Sequence, residues 1–298
     1  MPAVREDIDP IDPPPRPTRW EERAAYFLLV ALGPRLSRVE RPETPAALAP
    51  FERLTIPRRG RPGSLDATWY PAASARGAVL LLHPWVAWGQ AYFYRRGRLQ
   101  ALREAGYHSL TVDLGGFGAS APPAGLYDRD VDDALAALAA RAAGLPLHVW
   151  GVSSGGFWTM TLLSRRNGIA GAMFEDVTPH LIGWSRRTAP RFAPCYNLFE
   201  RLLPRAYRFL DLRRHAPHLA VAAAAFVSGG VDPGIVPADT EELARLAGGE
   251  CRVIAGAPHL GAIKRAPQEV TELALATFER ASARRTPGTE AWRYAGSP

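Results

Sequence analysis

Cysteine is almost absent from this chain of 298 residues: Cys195 and Cys251 stand alone, in no spacing that would frame a disulfide scaffold or a metal site. A reducing, intracellular setting follows as the expectation, and cytoplasmic localisation with it. Lysine is rarer still. Lys264 is the single lysine among 36 basic residues, a pattern of GC-rich coding rather than of a basic patch. Because no run of five basic residues occurs, the formal charge of +7 marks no nucleic-acid module. Long apolar runs are missing too. The most apolar, residues 24–32, is nine residues long, against the roughly 20 that a spanning helix needs. Glu6, Asp7 and Asp9, set among prolines, do not resemble a secretory signal.

What is present is an apolar fraction of 47%, enough for a sizeable core in one large sheet-centred domain with a short insertion. Thr18 and Glu21 have the spacing of a capping box, and Gly33-Pro34 would stop the helix they open. This 18–33 helix is apolar on more than one side. It is expected to pack on the main domain or on a partner subunit of a homo-oligomer, with membrane-surface contact the weaker reading. Strands are predicted at 51–56, 65–70, 78–82, 108–112, 146–151, 170–174, 221–227 and 252–254. Helices are predicted at 92–105, 129–143, 156–165, 240–247 and 263–281, with an irregular stretch of about forty residues before the strand at 221. Such alternation calls for an α/β fold: a mainly parallel eight-stranded sheet with helices on both faces. The expected layout is an N-terminal extension at 1–50, a main domain at 51–282 with an insertion at 178–220, and a frayed tail at 283–298.

The sharpest local signal is Gly151-Val152-Ser153-Ser154-Gly155, between a predicted strand and a predicted helix. A serine oxygen thrust out of a sheet edge needs a tight, strained turn, and glycines two residues away on either side leave room for it. Ser154 is in the wrong register, so Ser153 is the candidate nucleophile. A hydroxyl needs a base within hydrogen-bond reach. Of seven histidines, His259 follows the last predicted strand and lies on a loop at the carboxyl edge of the sheet. His83 ends a strand but precedes Ser153, and reads better as packing for its own loop. His108 and His148 sit at strand starts, while His180, His215 and His218 fall in the insertion. The imidazole in turn needs a carboxylate to fix its tautomer. Asp232 follows the strand before that of His259 and is favoured over Glu175 and Asp176, which end the strand at 170–174.

These residues, in the order serine, acid, histidine, resemble the α/β-hydrolase superfamily, in its branch of serine esterases and related acyl hydrolases. The resemblance covers about 51–281. It extends to Asp113-Leu114-Gly115-Gly116-Phe117-Gly118-Ala119-Ser120 and to Leu80-Leu81-Leu82-His83-Pro84-Trp85, which is similar to the family's oxyanion strand and loop. That loop commonly reads His-Gly in the family; here Pro84 stands in the glycine's place. The resemblance implies that the backbone N–H groups of Trp85 and Ser154 form the oxyanion hole. It also implies a short helical lid at 178–220 that shapes the substrate pocket. Trp88, Trp184 and Phe192 are the candidate pocket aromatics, and Arg186, Arg187 or Arg191 could meet a substrate carboxylate. The expected activity is hydrolysis of a carboxylic ester of an apolar acyl or aryl group through an acyl-enzyme, on a small-molecule substrate with no cofactor and no metal. Thioester or C–C hydrolysis, acyl transfer, and a non-catalytic ligand-binding use of the fold stay open. Ser153 in the elbow argues against the dehalogenases and epoxide hydrolases of similar fold, which use aspartate there.

Overall fold

The computed structural model describes residues 13–32, 43–86, 88–142 and 144–284. Gly33-Pro34 and the tail after Arg284 lie outside the described residues. Eight strands form one sheet: β1 (Glu52–Pro57), β2 (Ser64–Tyr70), β3 (Gly77–Leu82), β4 (Tyr107–Val112), β5 (Leu147–Val152), β6 (Gly171–Glu175), β7 (Ala223–Gly229) and β8 (Glu250–Ile254). Their order is β1-β2-β4-β3-β5-β6-β7-β8. β2 runs antiparallel to both its neighbours, and every pairing from β4 to β8 is parallel. All residues of β3, β5 and β6 are buried, which is why β3 reads as a continuous apolar run and the other two are mainly apolar rather than alternating.

Side chains of a strand point alternately to its two faces, so each strand feeds two cores. On one face Leu80, Leu82, Val149 and Phe174 pack with α3 (Asp128–Arg141), α4 (Ser154–Leu163) and α8 (Pro237–Ala247), which is preceded in the chain by α5 (Leu181–Thr188), α6 (Ala193–Leu202) and α7 (Pro204–Phe209). On the other, Val79, Leu81, Trp150 and Met173 pack with α2 (Arg98–Glu104), α9 (Ala262–Arg265) and α10 (Pro267–Ala283). The first helix, α1 (Arg19–Leu32), starts with the expected capping box: the Thr18 N–H donates to Glu21 Oε2 at 3.0 Å, and the Glu21 N–H donates back to Thr18 Oγ1 at 3.4 Å. Its approach segment is tied to α3. Arg16 pairs with the buried Asp128 at 2.5 Å, Glu22 accepts from the Leu126 N–H at 3.2 Å, and Arg165 donates to the Pro14 carbonyl. No helix of the described residues is long and apolar enough to cross a membrane.

Two expectations are corrected. The predicted 92–105 helix is a 3₁₀ turn (Gly89–Phe93) followed by α2, because Arg96 and Gly97 take left-handed conformations (φ 81° and 72°) between them. The predicted 263–281 helix divides into α9 and α10 at Ala266, since Pro267 has no N–H for a continuing ladder and opens a new helix instead. The stretch between β6 and β7, where a short helical lid is expected, carries α5, α6 and α7. In two of the three a proline lies in the first turn, where its missing N–H costs nothing.

Candidate active site

Ser153 occupies the single-residue turn between β5 and α4, at φ 49° and ψ −116°. A non-glycine residue reaches that conformation only under constraint, and here the constraint is steric and hydrogen-bonded. The Ser153 N–H donates to the Glu175 carbonyl at 2.7 Å, and its own carbonyl accepts from Phe157 N–H at 2.9 Å. A Cβ at Gly151 would lie 2.4 Å from the Gly156 Cα, and one at Gly155 would lie 2.3 Å from the Leu82 carbonyl oxygen. The chain therefore crosses itself too closely for side chains at either position. Gly156, not singled out in the sequence, is under the same restriction, with Val177 Cγ2 at 2.5 Å from its hypothetical Cβ. Gly-Gly at 155–156 was the available signal.

His259 comes from the loop after β8, and Asp232 from the loop after β7. The imidazole Nε2 stands 3.3 Å from Ser153 Oγ, and Nδ1 stands 2.6 Å from Asp232 Oδ2. Asp232 Oδ1 accepts from the N–H groups of Gly234 at 2.8 Å and Ile235 at 3.0 Å. An ionised carboxylate can only accept, so Nδ1 carries the proton and the Nε2 lone pair faces the serine hydroxyl. Burial alone would raise the Asp232 carboxyl. The hydrogen bonds from His259 and the two backbone donors outweigh burial and hold it below the usual range. Burial would likewise lower His259, but its hydrogen bond to Asp232 and the charges of Asp176 and Asp232 push it above the ordinary histidine value.

The rival carboxylates are spent elsewhere. Asp176 Oδ1 accepts from the Gly229 N–H at 3.0 Å, and Oδ2 from the Leu260 N–H at 2.7 Å. Burial and the neighbouring Glu175 push its carboxyl up to about 7. Glu175 is fully buried against the equally buried guanidinium of Arg98. Asp176, Asp232 and His259 each offer an atom within 4.8 Å of the others. The carboxylate oxygens among them already accept backbone or imidazole N–H groups, so a cation there would have to displace those donors.

The loop after β3 faces the elbow. Because His83 Nε2 accepts from the Leu114 N–H at 3.1 Å, Nδ1 bears the proton and donates to the Pro84 carbonyl at 2.7 Å. Burial pushes His83 below its ordinary value and keeps the ring neutral. The Pro84 carbonyl also accepts from Val86 N–H at 2.7 Å. In a trans peptide the N–H points away from the C=O, so pinning the Pro84 carbonyl to His83 turns the Trp85 N–H to the opposite side. His83 thus packs its own loop, as its place in the sequence suggested.

A cavity of about 240 Å³ opens on Ser153, lined by Pro84, Trp85, Val86, Ser154, Phe157, Thr178, Leu181, Trp184, Ser185, Ile235, His259 and Leu260. Of the three candidate aromatics, Trp184 lines this cavity. Trp88 and Phe192 do not, and both expectations are corrected. Gly89 at φ 51° and the bond from Gln90 N–H to Asp113 Oδ1 (2.6 Å) turn Gln90, Tyr92 and Phe93 inward. Trp88 is left 42% exposed, with Arg95 over its ring. Phe192 packs half-buried against the core under Arg191. The arginines expected near a substrate carboxylate are engaged elsewhere as well. Arg186 pairs with Glu200 at 2.7 Å, and Arg187 with Asp239 at 2.5 Å and the Gly234 carbonyl at 2.8 Å. His259 is the one titratable side chain among the described residues that line the cavity.

The family model described as "Serine aminopeptidase, S33" matches residues 73–247. No curated protein matches the chain. Among solved structures, an esterase from Pyrococcus furiosus superposes with a TM-score of 0.68 at 17% identity, over 83% of this chain and 97% of that one. A thermostable carboxyl esterase from Bacillus coagulans gives 0.62 at 14% identity, over 78% and 99%. A bromoperoxidase from Bacillus anthracis gives 0.56 at 18%, over 76% and 100%. At such identities these likenesses speak for the fold.

Proposed function

This chain belongs to the serine aminopeptidase S33 family of α/β hydrolases, and from that premise we propose that it cleaves uncharged carboxylic esters of an apolar acyl or aryl group, with Ser153 as nucleophile. The observation that carries the reading is the hydrogen-bonded line from Asp232 through His259 to Ser153, at 2.6 and 3.3 Å, ending on an apolar cavity. Ser153 Oγ attacks the acyl carbon as His259 Nε2 takes its proton, and Asp232 offsets the charge on the imidazolium. The N–H groups of Trp85 and Ser154 receive the oxyanion. Collapse of the tetrahedral adduct expels the alcohol, which takes the proton from His259. A water deprotonated by the same nitrogen then releases the acid and restores Ser153.

The cavity argues for a neutral acyl group. A peptide's terminal ammonium would need a carboxylate in the lining, and the described lining offers none. A cavity of roughly 150 Å³ holds benzene, so 240 Å³ suits an aryl group or a medium-length alkyl chain. Trp184 of α5 closes one side of that space: a Cβ at Gly234 would lie 2.6 Å from its Nε1. Treatment with a fluorophosphonate should add one label, mapped to Ser153, and the Ser153→Ala protein should take none. Across nitrophenyl esters of rising acyl length, kcat/KM should pass through a maximum, and Trp184→Ala should move it to longer chains. Labelling at another residue, or equal labelling of the alanine variant, would reject the assignment.

A further inference from the structure

Among the described residues, four that are not glycine have positive φ: Arg96, Ser153, Asp176 and Leu260. All four gather at this one edge of the sheet, and three are joined directly. Arg96 Nη1 donates to the Leu260 carbonyl at 3.2 Å, and the Leu260 N–H donates to Asp176 Oδ2 at 2.7 Å. Asp176 Oδ1 continues to the Gly229 N–H at the end of β7, and the Asp176 N–H bonds the Val227 carbonyl at 2.8 Å. The fourth, Ser153, hangs from the carbonyl of Glu175, the residue before Asp176. Residues held in disfavoured backbone conformations persist where the surroundings over-determine them, and they collect at functional sites.

Asp176 is fully buried, and both its oxygens serve main-chain donors on the two loops that carry Asp232 and His259. The buried guanidinium of Arg98, which could have neutralised it, goes to Glu175 instead. A buried carboxylate without a cationic partner is costly unless its hydrogen bonds do something a neutral group would not. We propose that Asp176 is a positioning residue for His259: with Arg96 it grips both backbone ends of Leu260, and so keeps Nε2 in line with Ser153 Oγ. This rests on the reading of Ser153, His259 and Asp232 given above. The carboxylate never meets substrate. It acts by fixing the histidine loop to the end of β7 and, in its ionised form, by adding a second negative charge, beside that of Asp232, to the surroundings of the imidazole.

The other groups facing this cluster are Glu175, Arg98, Arg96 and Tyr92, and none of them is altered in Asp176→Asn. The amide keeps the shape but turns an NH₂ toward one of the two N–H donors, and it removes the charge. Ester hydrolysis by this variant should lose about tenfold to a hundredfold in kcat, the range for a misplaced catalytic group, with KM unchanged. The acid limb of its kcat/KM profile should move to lower pH, because the imidazolium has lost a stabilising charge. Phosphonate labelling of Ser153 should slow in parallel. Arg96→Gln releases the other grip and leaves no buried charge behind. Its kcat should fall several-fold, about as one lost positioning bond allows, without the downward shift of the acid limb.

A folded Asp176→Asn with wild-type kcat and acid limb would overturn the proposal, as would a drop in melting temperature alone. So would a rise in KM with the limb unmoved, which marks a merely disturbed pocket. If Asp176→Asn does not fold, wild-type kcat in Arg96→Gln overturns it. Labelling of wild-type Ser153 is measured first and separates the two levels. Without it the hydrolase reading fails and the proposal falls with it; with it, only the role of Asp176 is at stake.

Discussion

Replacing Ser153 by glycine should make the protein more stable than replacing it by alanine. The backbone at Ser153, φ 49° and ψ −116°, is disfavoured for any residue with a Cβ and open to glycine. Alanine keeps the Cβ and removes the hydroxyl; glycine removes both. Comparing the two variants therefore isolates the Cβ strain, and neither has an active serine to confuse the result. Relief of a residue held in so sparse a region is worth about 1–3 kcal/mol. Against it stands the greater freedom that glycine gives the unfolded chain, about 0.5–1 kcal/mol. The difference leaves glycine ahead by about 1 kcal/mol, or roughly 2–4 °C in melting temperature for a domain of this size. Both variants should lose nearly all esterase activity, by about 10⁴–10⁶ in kcat. Thermal melts of the two proteins side by side, at one pH and ionic strength, make the measurement. A glycine variant that melts at or below the alanine variant would refute the idea that the turn stores strain at this atom.

Further outcomes follow from the same geometry. Asp232→Asn should reduce kcat by about 10²–10⁴ through loss of tautomer control, more than Asp176→Asn does; steady-state kinetics of the pair would expose the reverse ranking. With the neutral imidazole of His259 as the proposed base, kcat/KM should fall as pH drops through its ionisation. Because Asp232 and Asp176 lift that ionisation against the effect of burial, the limb should lie above the ordinary histidine value of 6.5, and an initial-rate profile placing it below would contradict the assignment. Trp85→Pro deletes the proposed oxyanion donor and should cost about 10²–10³ in kcat. Pro84→Gly controls for loop shape and Trp85→Ala for the side chain, with melting curves to confirm folding.

The strands and the loops that follow them were legible because sheet burial leaves a strong mark. Residues 78–82, 170–174 and 223–227 carry no polar side chain, and Trp85, Asp176 and Asp232 sit just past such runs. Side-chain direction was not legible. Trp88, Trp184 and Phe192 share aromatic character, yet only Trp184 faces the cavity, and the difference lies in the left-handed turn at Gly89 and in how α5 to α7 stack. Choosing between Asp176 and Asp232 met the same obstacle. Both end a strand at the same edge, and what separates them is a pair of backbone N–H groups, Gly229 and Leu260, the latter 84 positions away from Asp176 in sequence. The helix breaks at Gly97 and Pro267 did have signals, a glycine and a proline, that apolar periodicity alone overran.

The contacts of residues 14–22 bear on how this chain can be cut. These residues precede the first strand, and Asp128, buried at the start of α3, draws its counter-charge from Arg16, while Glu22 accepts from the Leu126 N–H. Trimming the chain back to residue 43 would strand a carboxylate in the interior, where burial already raises its affinity for a proton. Because α3 packs beside α4, whose first residue is Ser154, such a shortened protein would be weakened close to the turn that carries Ser153. A chain cut at residue 43 should therefore melt below the full-length protein, because the buried carboxylate of Asp128 loses the Arg16 guanidinium that faces it.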